Sequence, residues 1–428
     1  MLDWSTGSSI LTNSYKLLSP PLSGQPEEKL KHTSKHFPSH LLHLFRRKGV
    51  FPYRYIDSWE RYEEKQLPKI EDFWDNLSKE DLSPEDYQHA QRVWTALGSK
   101  TLGEFSDSYC KLDVCLLADC FETFRETFLK EYRLDPAAYF SLPGYGLQAM
   151  LHTTGAEIEL FTDLNMVLMA QRGVRGGISC CSHKFSEAYN SYLGDSVEKG
   201  QTSKQIILLD VRNLYGWALC QKLPLRDFRW LTEEELNDFD IMAISDSDSF
   251  GYLLEVDLHY PKHLHELHSD YPFCVENRKP PRSKESKLLG TFFDKENYVI
   301  HSRALRQAIR HGLKLKRIHR GIQFYQEAYI KPFVEKTTQL RREATTDYEK
   351  ALYKLAINSI YGKLLESVHK RQDIELVTNS KRFERIIADN FFDRATIFDQ
   401  ELVAAHGEKE DLQLQPPRLR PPKGVLDF

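Results

Sequence analysis

Two segments far apart in the sequence carry side chains with complementary chemistry. Asp210 follows an apolar run, and Tyr215 stands five residues further on. Lys354, Asn358 and Tyr361 have the i, i+4, i+7 spacing that places side chains on one face of a helix. A cation, an amide and an aromatic ring on one face can hold a phosphate, a sugar and a base, and a carboxylate can hold the Mg²⁺ that a phosphate carries. Together the two segments predict a site that polymerises nucleotides.

A strand and a helix would have to position these side chains. Gln205–Val211 is rich in strand-forming residues and predicts a central sheet strand that ends near Asp210. Residues 301–366 predict helices, with breaks near Gly312 and Pro332. Residues 84–135 also predict helices, because one set of apolar residues recurs at helical spacing and should face a core: Val114, Leu116, Leu117, Cys120, Phe121, Phe124 and Phe128.

Length and composition limit the class of protein. A chain of 428 residues, 41% of them hydrophobic, can form two or three globular domains. No run of about 18 apolar residues occurs and the start MLDWSTGSS lacks the pattern of a secretory signal, so neither a membrane span nor export is expected. Seven cysteines, an odd number, favour a reducing, intracellular compartment. The lack of a CxxC pair argues against a structural zinc site.

Charge is unevenly distributed along the chain, whose net charge is −4. Residues 301–363 hold 14 Lys and Arg against 5 Asp and Glu, whereas residues 54–135 hold 11 against 19. A basic segment around Lys354 suits contacts with nucleic-acid phosphates, although a solvated helix face is the usual explanation of such a segment. By charge alone, the solvated helix face is the preferred interpretation of this segment.

The same segments resemble two motifs of the family B DNA polymerases. Residues Lys354–Gly362 resemble motif B, and Asp210–Tyr215 resemble motif A, with Asn213 and Gly216 in place of the usual serine and proline. This variation suits the organellar and viral branch, whose members often start synthesis from a protein primer. Further stretches, which extend the likeness over nearly the whole chain, are similar to the polymerases of Polinton/Maverick transposons: Arg47–Tyr53, Arg175–Ser179 and Tyr260–His265.

The resemblance implies a role for each residue of the synthesis site. Asp210 would be a ligand of catalytic Mg²⁺, although an aspartate after a strand is also a common turn residue. Tyr215 would exclude a ribose 2′-OH, and the alternative is a buried aromatic of the sheet. Lys354 would contact the triphosphate of the incoming nucleotide as a compact charge, while Asn358 and Tyr361 would line the nascent base pair.

Three more residues near the predicted helix belong to the implied site. Gly362 would allow the template backbone to approach closely, and Arg341 or Arg342 would add a phosphate contact. The alternative for the helix is an amphipathic core helix with a lysine at its rim. That alternative does not account for the Asn-Ser-x-Tyr-Gly string.

Residues of an editing site are implied in the first third of the chain. Tyr109 and Asp113 match the YxxxD pattern of the family's 3′–5′ exonuclease, in which Asp113 would bind a metal ion and Tyr109 would orient water. The pattern also arises by chance on helix surfaces. Asn13 stands where an aspartate is expected, and an amide is a poorer Mg²⁺ ligand than a carboxylate. The remaining carboxylates would lie before residue 1, so editing is predicted to be absent.

Glycines and histidines complete the set of candidates. Arg175, Gly176 and Gly177 resemble the YxGG-like loop of related polymerases, which would contact template backbone, and a tight glycine turn is the equal alternative. The histidines in 32–43 are spaced as metal ligands can be, but Pro38 interrupts them and no cysteine or carboxylate cluster joins them, so surface or core packing is the prediction. For the histidines in 259–268 a structural role is what the resemblance implies, because they match the family's Tyr-Pro-x-x-Leu-His stretch.

The implied fold class is α+β, with a truncated RNase H-like exonuclease domain followed by an antiparallel polymerase palm and helical fingers. The expected parts are an exonuclease-like domain at 1–170, the start of the palm at 171–235, an insertion like a terminal-protein region at 236–320, fingers at 321–366 and a return toward the palm at 367–428.

The implied activity is that of a DNA-directed DNA polymerase. It would add dNTPs to a primer 3′-OH on a DNA template by two-metal phosphoryl transfer, with a terminal protein as a candidate primer and the nucleus as a candidate compartment. No Asp-x-Asp follows Lys363, so motif C, the source of the second carboxylate, is expected to be missing and the chain to be inactive or impaired alone. The alternative is a non-catalytic remnant that binds nucleic acid or nucleotides.

Overall fold

The computed structural model describes residues 29–46, 49–74, 81–190, 192, 203–366, 372–399, 402–408 and 418–421. Its α-helices, numbered in chain order, are α1 (Thr33–His36), α2 (Pro84–Leu97), α3 (Leu102–Tyr132), α4 (Leu142–Thr154), α5 (Leu164–Gly173), α6 (Leu214–Leu219), α7 (Glu233–Asn237), α8 (Ser302–Arg310), α9 (Lys331–Glu343), α10 (Asp347–Leu364) and α11 (Ser380–Ile387). Its strands are β1 (Ile158–Glu159), β2 (Leu223–Trp230), β3 (Phe250–His259), β4 (Glu276–Arg278), β5 (Lys287–Leu289), β6 (Lys295–His301), β7 (Lys314–Glu327), β8 (Gln372–Val377), β9 (Phe392–Asp399), β10 (Leu402–Glu408) and β11 (Arg418–Leu419).

The chain divides into two compact units. Unit 1 takes its described residues from Met1–Gly155, Ile330–Glu366 and Pro421–Phe428, and its regular elements are helices. Unit 2 takes its described residues from Ala156–Tyr329 and Ser367–Arg420, and it holds the antiparallel sheets. The predicted α+β class is confirmed, whereas the exonuclease and palm identities of the parts stay predictions.

The long helix α3 organises the core of unit 1. Its buried stripe includes Leu116, Cys120, Phe124 and Phe128, at the spacing of one helix face. Thr101 begins the helix, because its side chain accepts a hydrogen bond from the backbone N–H of Glu104. The predicted helices over 84–135 are confirmed as α2 and α3. The expectation that Val114 faces the core is wrong: it is 62% exposed, because it lies beside the buried stripe rather than on it.

A four-stranded antiparallel sheet, in the order β2-β7-β3-β6, organises unit 2. Side chains of β3 alternate between its faces, so that Leu254, Val256 and Leu258 lie in one cluster with Leu305 and Ala308 of α8. On the other face, α5 contributes Met166 and Met169 to a second cluster. Each fully buried apolar side chain of this kind contributes about 1.5–3 kcal/mol.

Two sequence predictions for unit 2 are wrong. Residues 314–327 are not helical but form β7, whose backbone pairs with β2 on one side and β3 on the other. The predicted boundary between residues 320 and 321 therefore falls inside a continuous strand.

Gln205–Val211 forms no strand with any described residue, and Leu208 is 96% exposed. A strand needs a neighbour to satisfy its backbone N–H and C=O groups, and strand propensity alone does not supply one.

The C-terminal part of unit 2 is a three-stranded antiparallel sheet in the order β8-β10-β9. Helix α11 follows β8 after two residues. Arg382 of α11 forms a paired hydrogen bond with Glu375 of β8, at 2.8 Å for both N–O contacts. Among the helices that the structure describes, none is long and apolar enough to cross a membrane.

Candidate nucleotide and nucleic-acid site

Helix α10 contains the whole of the predicted nucleotide-binding segment. It begins with a reciprocal cap, in which the Thr346 hydroxyl accepts from the backbone N–H of Glu349 and the Glu349 carboxylate accepts from the backbone N–H of Thr346. Lys354 is exposed, and Asn358 and Tyr361 are half-buried along the same face. The sequence prediction that these three side chains share one helix face is confirmed.

The opposite face of α10 is fixed in the core of unit 1. Ile357 and Ile360 are buried, and the Tyr353 ring stacks on Phe128 of α3 at a centroid distance of 5.6 Å. Gly146 of α4 lets the two helices approach closely, because a Cβ there would lie 3.3 Å from Cγ1 of Ile360. One face of α10 therefore packs as the amphipathic core helix of the alternative interpretation would. The exposed side chain of Lys354 lies on the other face.

The other candidates near the nucleotide-binding segment lie in the last turns of α9 and α10. Arg341 and Arg342 are in the last turn of α9, where the helix dipole favours cations, and Arg342 is exposed. Gly362 is exposed in the last turn of α10, and a Cβ there would meet no atom within 4 Å. A larger side chain at 362 would therefore not clash with the described residues. The surface beside Gly362 is open.

Asp210 and Tyr215 belong to unit 2. Asp210 is exposed in a segment without regular structure, and Tyr215 is 50% exposed in the first turn of α6. The alternative interpretation of Tyr215 as a buried sheet aromatic is wrong. Its ring is accessible to a ligand.

The two unusual residues of the motif A segment fit each other. Asn213 has φ +58°, a conformation that asparagine tolerates better than most residues, and its side chain caps α6 by accepting from the backbone N–H of Gly216 at 3.3 Å. A Cβ on Gly216 would lie 2.2 Å from Nδ2 of Asn213. Proline at 216 would lack the N–H that Asn213 caps. Asparagine at 213 therefore goes together with glycine at 216, which has the N–H and leaves room for the asparagine side chain.

The described residues do not by themselves form a Mg²⁺ site. Mg²⁺ requires near-octahedral oxygen coordination, and Asp210 offers one carboxylate. In the described part of the chain, no group of three or more His, Cys, Asp or Glu side chains is placed to hold a metal ion.

The predicted editing residues lie on α3. Tyr109 is buried, its ring is 5.0 Å from that of Phe51, and its hydroxyl lies 3.3 Å from the hydroxyl of Tyr53. Asp113 follows one turn later and is half-buried. Asn13 lies outside the described residues. Aromatic packing explains the position of Tyr109, and the editing role of this pair stays a prediction.

The segment Arg172–Gly177 runs along β6. The Arg175 guanidinium lies 3.9 Å from the centroid of the Tyr298 ring and donates to the carbonyl oxygen of Val299 at 2.7 Å. Gly176 and Gly177 are exposed, and a Cβ at either would meet no atom within 4 Å. The backbone of residues 174–180 forms no turn, so the tight glycine turn given as the alternative for Arg175–Gly177 is wrong.

An ion-pair network beside this segment was not predicted from the sequence. Arg172 of α5 and Arg320 of β7 both donate to the buried carboxylate of Glu255 on β3. Burial alone would raise the pKa of Glu255, but hydrogen bonds from the two guanidinium groups outweigh it and hold the pKa below its usual value. The sequence indicates a buried acidic group here, because Glu255 stands among the apolar residues of β3. Its partners Arg172 and Arg320 are too distant in sequence for residue spacing to identify them.

Three histidines of 259–268 have structural contacts. His259 Nδ1 lies 2.8 Å from Oδ1 of Asp294. His268 is buried with Nδ1 2.8 Å from the hydroxyl of Tyr260, and burial and the charge of His311 lower the pKa of His268. The His265 ring stacks on Phe292 at a centroid distance of 4.8 Å. These contacts support the predicted structural role.

Comparison with known proteins identifies the family. Residues 27–408 match the model of the family described as DNA polymerase type B, organellar and viral. This match covers most of the chain. The chain belongs to the organellar and viral type B DNA polymerases. The predicted family is thus confirmed, whereas the link to Polinton/Maverick transposons stays a prediction.

Solved structures of Phi29 DNA polymerase are similar to the chain. Phi29 DNA polymerase in an orthorhombic crystal form is 13% identical, with a TM-score of 0.40, over 75% of this chain and 48% of that chain. Phi29 DNA polymerase complexed with primer-template DNA and incoming nucleotide substrates is 13% identical, with a TM-score of 0.41, over 78% and 50%. The chain spans about half the length of these polymerases. No match was found among curated proteins.

Proposed function

We propose that this chain acts in DNA replication as part of a DNA-directed DNA polymerase and that the exposed face of α10 binds the incoming dNTP. The observation that carries the proposal is the common face of Lys354, Asn358 and Tyr361, within a chain that belongs to a polymerase family. In this proposal Lys354 contacts the triphosphate, and Asn358 and Tyr361 contact the nascent base pair.

The other predicted residues take supporting roles in the same proposal. Tyr215 excludes a ribose 2′-OH, and Arg341 or Arg342 adds a phosphate contact. DNA template and primer contact the segment from Arg175 to Gly177 and the open surface at Gly362. Asp210 would be one Mg²⁺ ligand of a two-metal site, whose other ligands are not found among the described residues. Priming by a terminal protein and an origin in a Polinton-like element belong to the proposal on the strength of sequence resemblance.

Nucleotide binding is the direct test. Titration of the full chain with a fluorescent dNTP should give saturable binding, and Lys354→Ala should weaken it about tenfold or more, since a charge-assisted phosphate contact is worth about 1.5–3 kcal/mol. Lys331→Ala is the matched control, because Lys331 is also exposed on a helix of unit 1. Equal affinities for the two variants would refute the assignment of the α10 face.

A second candidate function is nucleic-acid or nucleotide binding without catalysis. It is considered because the described residues hold no group of three or more His, Cys, Asp or Glu side chains placed to bind a metal ion. Primer extension with the full chain separates the candidates: extension that is abolished by Asp210→Asn and retained by Asp227→Asn supports the polymerase. Asp227 is a suitable control because it is exposed, as Asp210 is, and asparagine tolerates the positive φ that Asp227 has. Nucleotide binding without extension supports the second candidate.

A further inference from the structure

A strongly basic hairpin projects from unit 2. It consists of β4, β5 and the connecting residues 279–286, and is called here the basic hairpin. Residues 278–287 hold five basic side chains and one acidic one, in a chain whose net charge is −4. All five basic residues are exposed: Arg278, Lys279, Arg282, Lys284 and Lys287. The hairpin lies within residues 236–320, which the sequence resemblance likens to a terminal-protein region, and none of the polymerase motifs includes it.

Buried contacts fix the base of the hairpin. Lys295 is fully buried, and its Nζ donates to Glu276 Oε1 at 2.7 Å and to Thr291 Oγ1 at 2.6 Å. Such a lysine would be costly to bury without its partner, so this ion pair determines where β4 begins. Gly290 lies so close to Pro272 that a Cβ would be 2.0 Å from Cγ of the proline. The base is therefore packed rather than free.

The tip of the hairpin is also ordered. The backbone N–H of Ser283 donates to the carbonyl oxygen of Pro280 at 3.0 Å, which closes a turn, and the Ser283 hydroxyl accepts from the backbone N–H of Glu285 at 3.2 Å. Ordering of this kind lowers the entropy lost when charged side chains bind a partner.

An exposed aromatic ring lies beside the cations. Phe293 is 61% exposed, and the Arg278 guanidinium is 5.0 Å from the centroid of its ring. A guanidinium and an aromatic face together provide a stacking surface for an unpaired base. Bases of a duplex are already stacked on each other, so this surface favours a single strand.

We propose that the basic hairpin binds the phosphate backbone of single-stranded nucleic acid, with Phe293 as a stacking surface for one base. The inference rests on the proposed function in taking DNA as the natural strand, but it concerns a surface other than α10. An acidic protein segment could also be attracted by the cations, but it would not use the exposed ring as a stacking surface.

The test measures binding of the full chain to a fluorescent oligo(dT) of about 20 nucleotides over a salt series. The variant Arg282→Gln/Lys284→Gln/Lys287→Gln removes three cations of the hairpin. Since each contact with a single-strand phosphate adds about 0.7 to the slope of log K against log salt, the slope should become shallower by about 2. The control Lys65→Gln/Arg92→Gln/Lys100→Gln removes three exposed cations from unit 1 and should leave the slope unchanged.

A second variant tests the stacking surface. Phe293→Ala should weaken binding roughly fivefold or more without a change in the salt slope, because stacking is not a charge effect. Equal slopes for the hairpin variant and its control would overturn the proposal, as would binding of polyglutamate that is as strong as binding of oligo(dT). Titration with fluorescent dNTP should give wild-type affinity in the hairpin variant, so failure here and failure of the α10 assignment are distinguishable.

Discussion

The hydroxyl group of Tyr348 donates a 2.7 Å hydrogen bond to the carbonyl oxygen of Cys120. Tyr348 lies in the first turn of α10 and Cys120 lies within α3, and both side chains are buried. Burial raises the pKa of Tyr348 well above its usual value, so the hydroxyl remains protonated as a donor. The bond fastens the start of the proposed nucleotide helix to the central helix of unit 1.

Replacement of Tyr348 by phenylalanine should lower stability but not nucleotide affinity. The loss should be about 1 kcal/mol in the free energy of unfolding, because the Cys120 carbonyl loses one buried partner while the face of Lys354 is untouched. Urea denaturation followed by circular dichroism measures it. Tyr271→Phe is the control, since Tyr271 is 85% exposed and the loss in free energy of unfolding should stay within about 0.5 kcal/mol. Equal destabilisation by the two variants would contradict the structural role of the Tyr348 bond.

Helix α10 was predictable because its signals are local. The i, i+4, i+7 spacing from Lys354 to Tyr361 is a property of one helix, and the Thr346–Glu349 cap marks its start within four residues. The stripe of α3 from Leu116 to Phe128 was predictable for the same reason. What each exposed side chain binds is not a local property, and it came from family resemblance.

Features that depend on distant pairing were missed. β7 looked helical because it lies between two helices in a basic segment, and only its pairing with β2 and β3 makes it a strand. Gln205–Val211 has the composition of a strand but no described strand beside it. Glu255 is a third case, since its partners Arg172 and Arg320 come from other elements. Sequence periodicity carries no information on such partners.

Asn213 and Gly216 should be energetically coupled. Gly216→Ala should destabilise unit 2, because the added Cβ displaces the Asn213 side chain and weakens the cap of α6, at a cost of about 1 kcal/mol. In an Asn213→Gly background the positive φ is retained and no side chain is displaced, so the same change should cost less. A double-mutant cycle by chemical denaturation measures the coupling. Strictly additive effects would show that the two residues act separately.

The apolar run before Asp210 should promote self-association. Ile206, Ile207, Leu208 and Leu209 are each at least 64% exposed, which is unusual for consecutive apolar residues. Leu208→Asp should therefore lower the apparent mass at high protein concentration and reduce binding of a hydrophobic dye. Light scattering coupled to size-exclusion chromatography measures the mass. Val114→Asp is the control, because Val114 is 62% exposed but has no comparable run around it, and it should change neither property.

Acidification should destabilise unit 2 through His301. Nδ1 of His301 accepts a 3.1 Å hydrogen bond from the backbone N–H of Arg303 and thereby caps α8, which requires the neutral ring. Burial, and secondarily the charge of Arg303, lower the pKa of His301 to about 4. Between pH of about 6.5 and 4 the unfolded chain takes up a proton that the folded chain does not. Stability should therefore fall with decreasing pH in this window, by up to about 3 kcal/mol.

The variant His301→Ser isolates this contribution, because serine also caps helices but does not titrate. It should lower stability at neutral pH, since the buried ring is lost, yet the further loss between pH of about 6.5 and 4 should be smaller than in the original chain. Chemical denaturation at several pH values gives both quantities. In the variant, stability should still fall somewhat with decreasing pH, because the pKa of His268 is also lowered in the folded chain. A variant whose stability falls as steeply with acid as that of the original chain would exclude His301 as the titrating group.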